Sequence, residues 1–306
     1  MQIKQRLEYP LYKVPYFCII GLFVFIKLVK AGALTLLINK NFLSKKINLT
    51  LKFFNLIFYN QNRDEIGKKL LRCLTDLGPG YIKFGQALST RPDLVDKNIC
   101  EYLKKLQDNI EPFSSTIAKR IIEVESHSLI ENVFSSFDEK PIANASVAQV
   151  HTALLKSGEK VAVKLLKPNI KKKLFNDFIF FYWITKCLEI VMPSIKRLKL
   201  SKNVEVLSEV SLNELDLTLE ASAAEELSEN FKDNSYYKVP KIYWELTTKK
   251  MLVLEYIEGI RIDDVNALKK ANHNIKKITE IGTEVFFLQV FRDGFFHGDM
   301  HPGNIL

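Results

Sequence analysis

The sequence predicts an α+β fold in which a run of helices leads into a small antiparallel sheet and helices follow it. Three observations predict it. Apolar residues recur at the helical period between residues 62 and 126. The pattern then changes to Val- and Ala-rich runs on either side of Ser157-Gly158, a hairpin signature, and a second pair of apolar runs follows at 239–256. The helical period returns at 275–289 and leads into a Gly- and Pro-containing terminal loop. With 306 residues and 47% hydrophobic content, the chain can bury a sizeable core and is not disordered.

Residues 1–60 hold nine Lys or Arg against one acid, Glu8, a net of +8 out of +9 for the whole chain. A nucleic-acid binder spreads basic charge over a folded face; a basic, apolar arm is instead suited to an anionic membrane surface, and no nucleic-acid partner is expected. Val14–Ile38 is strongly apolar, yet Lys27 and Lys30 interrupt it and its unbroken core, Tyr16–Ile26, has 11 residues. A spanning helix needs about 20, so an interfacial helix is expected rather than a span, and no signal-peptide cleavage site follows it. Cys18, Cys73, Cys100 and Cys187 lie far apart and read as buried free thiols.

Each later element has its own signal. Ile66, Leu70, Leu74 and Leu77 mark a helix ended by Gly78-Pro79; Ile99, Tyr102, Leu103 and Leu106 mark another, ended near Pro112. A third starts at Ser114/Ser115 and carries Ile117, Ile121 and Val124 on one face. Ser146–Leu155 and Lys160–Leu166 form the hairpin. Residues 169–200 are a mostly helical insert whose stretch Leu174–Met192 includes Asp177, Lys186 and Glu189, so it should pack on its own domain. Residues 203–231 read as one long acidic helix, Val239–Trp244 and Met251–Tyr256 as two strands, and Ile275, Ile278, Gly282, Val285, Phe286 and Gln289 as one helix face.

Certain residues carry chemistry. Lys164, in Val161-Ala162-Val163-Lys164, projects from an apolar strand opposite its Val neighbours, as a phosphate-binding lysine does. The acidic run supplies Glu214, Asp216 and Glu220; on one helix Asp216 and Glu220 share a face and Glu214 points elsewhere, so two cations can be addressed. Lys83, Gly85 and Gln86 form a compact polar plug among apolar residues. Pro141–His151 is rich in Ala where a phosphate-covering loop would be rich in Gly. The chain ends in His297-Gly298-Asp299-Met300-His301-Pro302-Gly303-Asn304, an Asp five residues before an Asn, as kinase-like catalytic loops are built. His297 and His301 stand four apart, but the Gly and Pro residues between and after them argue against a helix, so structural hydrogen bonding is expected there and not zinc.

Together these motifs resemble the UbiB/AarF family of atypical kinase-like proteins over about residues 75–306. The resemblance implies a protein-kinase-like small lobe with an N-terminal helical extension and the start of a helical large lobe, divided as an arm (1–60), a K-x-G-Q extension (61–130), a small lobe with a helical insert (131–258) and a partial large lobe (259–306). It implies that Lys164 pairs with Glu220, that Lys83 pairs with Glu214, that the K-x-G-Q helices cover the nucleotide cleft, and that Asp299 is catalytic and Asn304 a metal ligand. Ala143, Ala145, Ser146, Gln86, Glu255 and Ile257 complete the implied nucleotide set. ATP and Mg are the implied cofactors, ubiquinone biosynthesis at the cytoplasmic face of the inner membrane, peripheral or with one N-terminal anchor, the implied setting, and a lipid-like substrate or quinone-biosynthesis enzymes the implied partners. The second metal-binding Asp usual in kinase-like sites does not occur before Leu306, so little turnover is expected of this chain. A non-catalytic nucleotide- or partner-binding remnant and a small-molecule phosphotransferase are the alternatives.

Overall fold

The protein's structure, a computed structural model, describes residues 14–33, 49, 63–93, 95–107, 111–298 and 304–306. In chain order the helices α1 (Val14–Lys30), α2 (Arg63–Leu77), α3 (Pro79–Ser89), α4 (Lys97–Lys104) and α5 (Ser115–Ser126) come first, then the single turn α6 (Ile130–Val133). Strands β1 (Phe134–Phe137), β2 (Ala143–Asn144), β3 (Ala148–Leu155) and β4 (Lys160–Leu166) follow. Next come α7 (Ile170–Val191), α8 (Leu200–Asn213), α9 (Leu217–Asn230), β5 (Met251–Glu255), α10 (Val265–Lys270) and α11 (Ile275–Phe287), which continues as a π-helical turn, Leu288–Asp293.

The chain forms two compact units. The first comprises Met1–Ser114, Pro141–Gln149 and Leu166–Leu215. It is a helical assembly in which α2, α3 and α4 pack together, α3 packs on α7, α7 on α8, and α1 on α2. Ile66, Leu70 and Leu74 line the buried stripe of α2, and Ile99, Leu103 and Leu106 that of α4 and the 3-10 turn after it. Gly78, at φ +119°, ends α2, and Pro79 opens α3, where its fixed φ suits a first helical position and its missing N–H costs nothing. The helical insert thus groups with the K-x-G-Q helices.

The second unit comprises Ser115–Lys140, Val150–Leu165 and Asp216–Leu306. Its antiparallel sheet runs in the order β1-β3-β4-β5, with Val163 opposite Val253 and Lys164 opposite Leu252. The β3–β4 turn closes with Leu155 accepting from Gly158, whose φ of +90° requires a glycine or a strained residue. Val161, Val163 and Leu165 bury one face of β4, and α5 and α9 pack against β5.

Four expectations are corrected. The acidic run is two helices, not one: α8 stops at Asn213 and α9 starts at Leu217. Asp216 takes an extended conformation and caps α9, its carboxylate accepting from the backbone N–H and the hydroxyl of Thr218. A carboxylate that captures its own neighbouring amides competes with continued helix. Val239–Trp244 is not a full strand. It makes one bridge, Ile242 to Leu254, flanked by Tyr243 N–H to Val253 and Glu255 N–H to Lys241, before turning into a 3-10 helix at Trp244; Pro240 has no N–H with which to extend the ladder. On α5 the buried face is Ala118 and Ile122, both fully enclosed, while Ile117 and Val124 are exposed. Small Ala118 lies on the buried face, where the larger residues Ile117 and Val124 do not. Finally, Cys73 and Cys100 are buried free thiols, but Cys18 is exposed on the outer side of α1 and Cys187 is half-buried.

Candidate nucleotide-binding site

In the second unit, Lys164 stands on the face of β4 opposite Val163 and Leu165, as strand alternation dictates. Its ammonium donates to both oxygens of Glu220, each at 2.7 Å, from the first turn of α9. The pair is far from sealed: the Glu220 side chain is 50% exposed. An ion pair that wet adds little stability, so its use lies in holding a cation at a fixed point above the sheet.

The first unit holds the other expected pair. Lys83, one turn into α3, ion-pairs with Glu214, and its side chain is only 13% exposed. Glu214 is the residue at which α8 ends, its N–H still bonded to the Val210 carbonyl. The α8–α9 break therefore assigns the three carboxylates separately: Glu214 to Lys83, Asp216 to the α9 cap and Lys249 at 3.3 Å, and Glu220 to Lys164. Hydrogen bonds from Thr218, and then Lys249, hold the Asp216 carboxyl below its ordinary range. Gln86 donates to the Leu106 carbonyl at 3.4 Å, tying α3 to the 3-10 turn after α4.

The Ala-rich loop lies in the first unit too. Ala143 and Ala145 are exposed and Ser146 is buried, and the Ala145 N–H bonds to the Ala148 carbonyl. Gln149, fully buried, had no sequence signal; its amide oxygen accepts from Phe113 N–H at 3.0 Å and its amide nitrogen donates to the Phe113 carbonyl, so one side chain satisfies a whole backbone unit.

Of the remaining residues in the implied nucleotide set, Glu255 turns its carboxylate to Lys238 and to the Lys241 N–H, and the first of these holds its pKa below the ordinary value. Its own N–H serves the Lys241 carbonyl. Ile257 is half-buried just beyond. Asn304 is exposed, and its neighbour Ile305 accepts from Ile262 N–H. Asp299 and His301 lie outside the described residues. The approach to that loop is nevertheless fixed: Gln289, fully buried on the π-turn, accepts from His297 N–H at 2.9 Å through its side chain and from Phe295 N–H through its carbonyl. π-turns are frequent beside functional loops. Among the described residues no cluster of three metal-ligating side chains occurs.

The ABC1 atypical kinase-like domain matches residues 105–306, about two-thirds of the chain. The chain belongs to the UbiB/AarF family of atypical kinase-like proteins. Proteins named probable protein kinase UbiB are its relatives: 45% identical over 248 residues in Shewanella woodyi, 43% over 247 in Cellvibrio japonicus and 43% over 239 in Pseudomonas paraeruginosa. These alignments cover 80%, 81% and 78% of this chain but 45% of each relative, so the chain spans about half the length of the curated relatives it matches. A solved structure, the Rv3197–erythromycin complex from Mycobacterium tuberculosis, is similar at a TM-score of 0.49 and 25% identity, covering 86% of this chain and 64% of that one. The α+β architecture is that of a kinase-like domain.

Proposed function

We propose that this chain binds Mg-ATP as a UbiB-family kinase-like protein and supports ubiquinone biosynthesis at the cytoplasmic face of the inner membrane. The observation that carries the reading is the double pairing: both lysines named by the motifs meet the carboxylates named with them, Lys164 with Glu220 and Lys83 with Glu214. A lone strand lysine is a common surface residue; two matched pairs at the motif positions are not. The Lys164 ammonium is a donor suited to phosphate oxygens, and Glu220 keeps it in place when no phosphate is bound. Asn304 offers the metal an oxygen, and Asp299 is the acid expected to act on the acceptor. The acceptor is then lipid-like or lies on a quinone-biosynthesis enzyme.

Saturable Mg-ATP binding by the purified chain, weakened when the metal is chelated, is the expected result of equilibrium titration. Absence of binding by a folded sample defeats the reading.

The membrane part has its own support. In α1, Phe17 and Val24 are buried, Phe17 against Phe180 and Trp183 of α7, while Tyr16, Ile19, Leu22 and Phe23 are exposed and Lys27 and Lys30 close the helix. No helix among the described residues is long and apolar enough to cross a membrane. An apolar face with lysines at its end and a net +8 over residues 1–60 suits the surface of an anionic bilayer. The chain should therefore sediment with phosphatidylglycerol vesicles more than with phosphatidylcholine ones, and less as salt rises, since screening shortens from about 10 Å at 0.1 M to about 3 Å at 1 M. Equal binding to both vesicle types would mean that charge plays no part.

A further inference from the structure

The helix that carries Lys83 begins without a cap of its own. Gly78, at its N-cap, has no side chain, and Pro79 contributes no N–H. The acceptor comes from 97 residues away: Asp177, half-buried on α7, takes the Gly80 N–H at 3.0 Å. The approach is possible only because residue 80 is a glycine, since a Cβ there would fall 2.4 Å from the Asp177 Cβ and 2.7 Å from its Oδ2. One turn further along α7, Phe181 meets Tyr81 edge to face, with ring centroids 4.8 Å apart. The start of α3 is thus registered against α7 by a charge-assisted bond and an aromatic contact on adjacent turns. The α8 helix, which ends in Glu214, packs on the same α7.

We propose that Asp177 is the positioning residue of the Lys83–Glu214 pair: by capping α3 from α7 it sets the rotation and register at which Lys83 reaches Glu214. Nothing in the nucleotide chemistry uses Asp177 directly. Its carboxylate acts through α3, whose positive N-terminal end also favours a negative charge at that point.

The site titrates. Burial pushes the Asp177 carboxyl up to about 6, opposed by the Gly80 N–H and by Lys173. Tyr81 on α3 also faces it, and Cys73 on α2 faces Tyr81 in turn; both are pushed up, chiefly by burial, and Lys27 and Asp76 act on Cys73. With the folded pKa above the unfolded value of 3.8, the fold favours the protonated form. This contribution to stability is fully present below about pH 4 and is lost as pH rises to about 6. The ionised carboxylate is nonetheless the stronger acceptor for Gly80.

The test compares Asp177→Asn, which keeps an acceptor and cannot ionise, with Asp177→Leu, which has none. Hydrogen exchange over residues 79–89 in the ligand-free chain should speed up about fivefold or more in the Leu variant, the factor expected from loss of an ordinary helix cap, and stay near wild type in the Asn variant. Lys83 should become as reactive to an amine acylating reagent in Asp177→Leu as in Glu214→Gln, whereas Glu214→Gln should leave exchange at Gly80 unchanged. Between pH 6.5 and 4.5 the wild type should gain thermal stability relative to Asp177→Asn. Unchanged α3 exchange or unchanged Lys83 labelling in a folded Asp177→Leu chain overturns the proposal. Where that variant does not fold, Asp177→Ala, which also lacks an acceptor and adds no bulk beside Gly80, gives the same readouts, and unchanged α3 exchange or unchanged Lys83 labelling in it overturns the proposal. A consequence, resting on the proposed function, is weaker Mg-ATP binding by Asp177→Leu. If the wild type binds no Mg-ATP, the functional reading falls while exchange and labelling still decide the role of Asp177.

Discussion

Lys164→Met is expected to weaken Mg-ATP binding by about 2–4 kcal/mol, roughly thirty- to a thousandfold, the range found when one partner of a desolvated charged contact is truncated. The methionine keeps the length and apolar stem of the lysine, so β4 remains packed between its neighbours. What it removes is the ammonium that Glu220 holds in place at 2.7 Å. Glu220→Gln should cost less, about five- to tenfold, because the cation is kept and only its orienting partner loses charge. Neither substitution should move the melting temperature much, since the pair is exposed to water on the Glu220 side. That separation is the useful feature of the experiment. Affinity lost with the melting curve intact places the pair on the ligand, whereas Lys164→Met binding within twofold of wild type would remove the lysine from the phosphate site altogether.

The two lysines were legible in the sequence because each sits in a local pattern, while which carboxylate each meets followed from the family resemblance. Lys164 follows strand alternation, and Lys83 lies within a helix whose Gly and Gln are diagnostic. The hairpin was legible for the same reason, since alternation and a Ser-Gly turn are both local. The break between Glu214 and Asp216 was not, because it involves no Gly or Pro; it comes from the Asp216 side chain capturing the Thr218 amide, a choice that helix-forming neighbours conceal. The strand assigned at Val239–Trp244 failed where Pro240 and a 3-10 turn reduce it to a single bridge. Least legible were the through-space partners. Asp177 read as one of three charged residues, with Lys186 and Glu189, in the stretch Leu174–Met192, and nothing in its neighbourhood along the chain announces that it caps a helix 97 positions earlier. Gln149 and Gln289 are hidden likewise, each fully buried to satisfy backbone groups that only the folded chain brings near.

Gly85→Val is expected to destabilise the chain by about 2–3 kcal/mol, near the top of the range for overpacking a filled core. Helix propensity argues the other way, since a glycine inside a helix costs about 1 kcal/mol relative to alanine. That α3 has glycine here is explained by space: a Cβ would lie 2.4 Å from Leu106 Cδ1 and 2.8 Å from Leu74 Cδ1. Both leucines are buried, so their methyl groups have no empty volume to enter. Valine adds two further methyl groups, which forces α3 away from α2 and α4 and takes Lys83 with it. Gly85→Ala should destabilise as well but by less, since it brings the clashing Cβ without the two further methyl groups and gains helix propensity. Gly282, on α11, supplies the control: nothing lies within 4 Å of the position its Cβ would take. There alanine should stabilise by about 0.5–1 kcal/mol through propensity alone. Thermal melts of these variants measure the contrast directly. If Gly85→Val melts with the wild type, α3 does not pack as described, and the close approach that seats Lys83 beside Glu214 is lost from the account of this site.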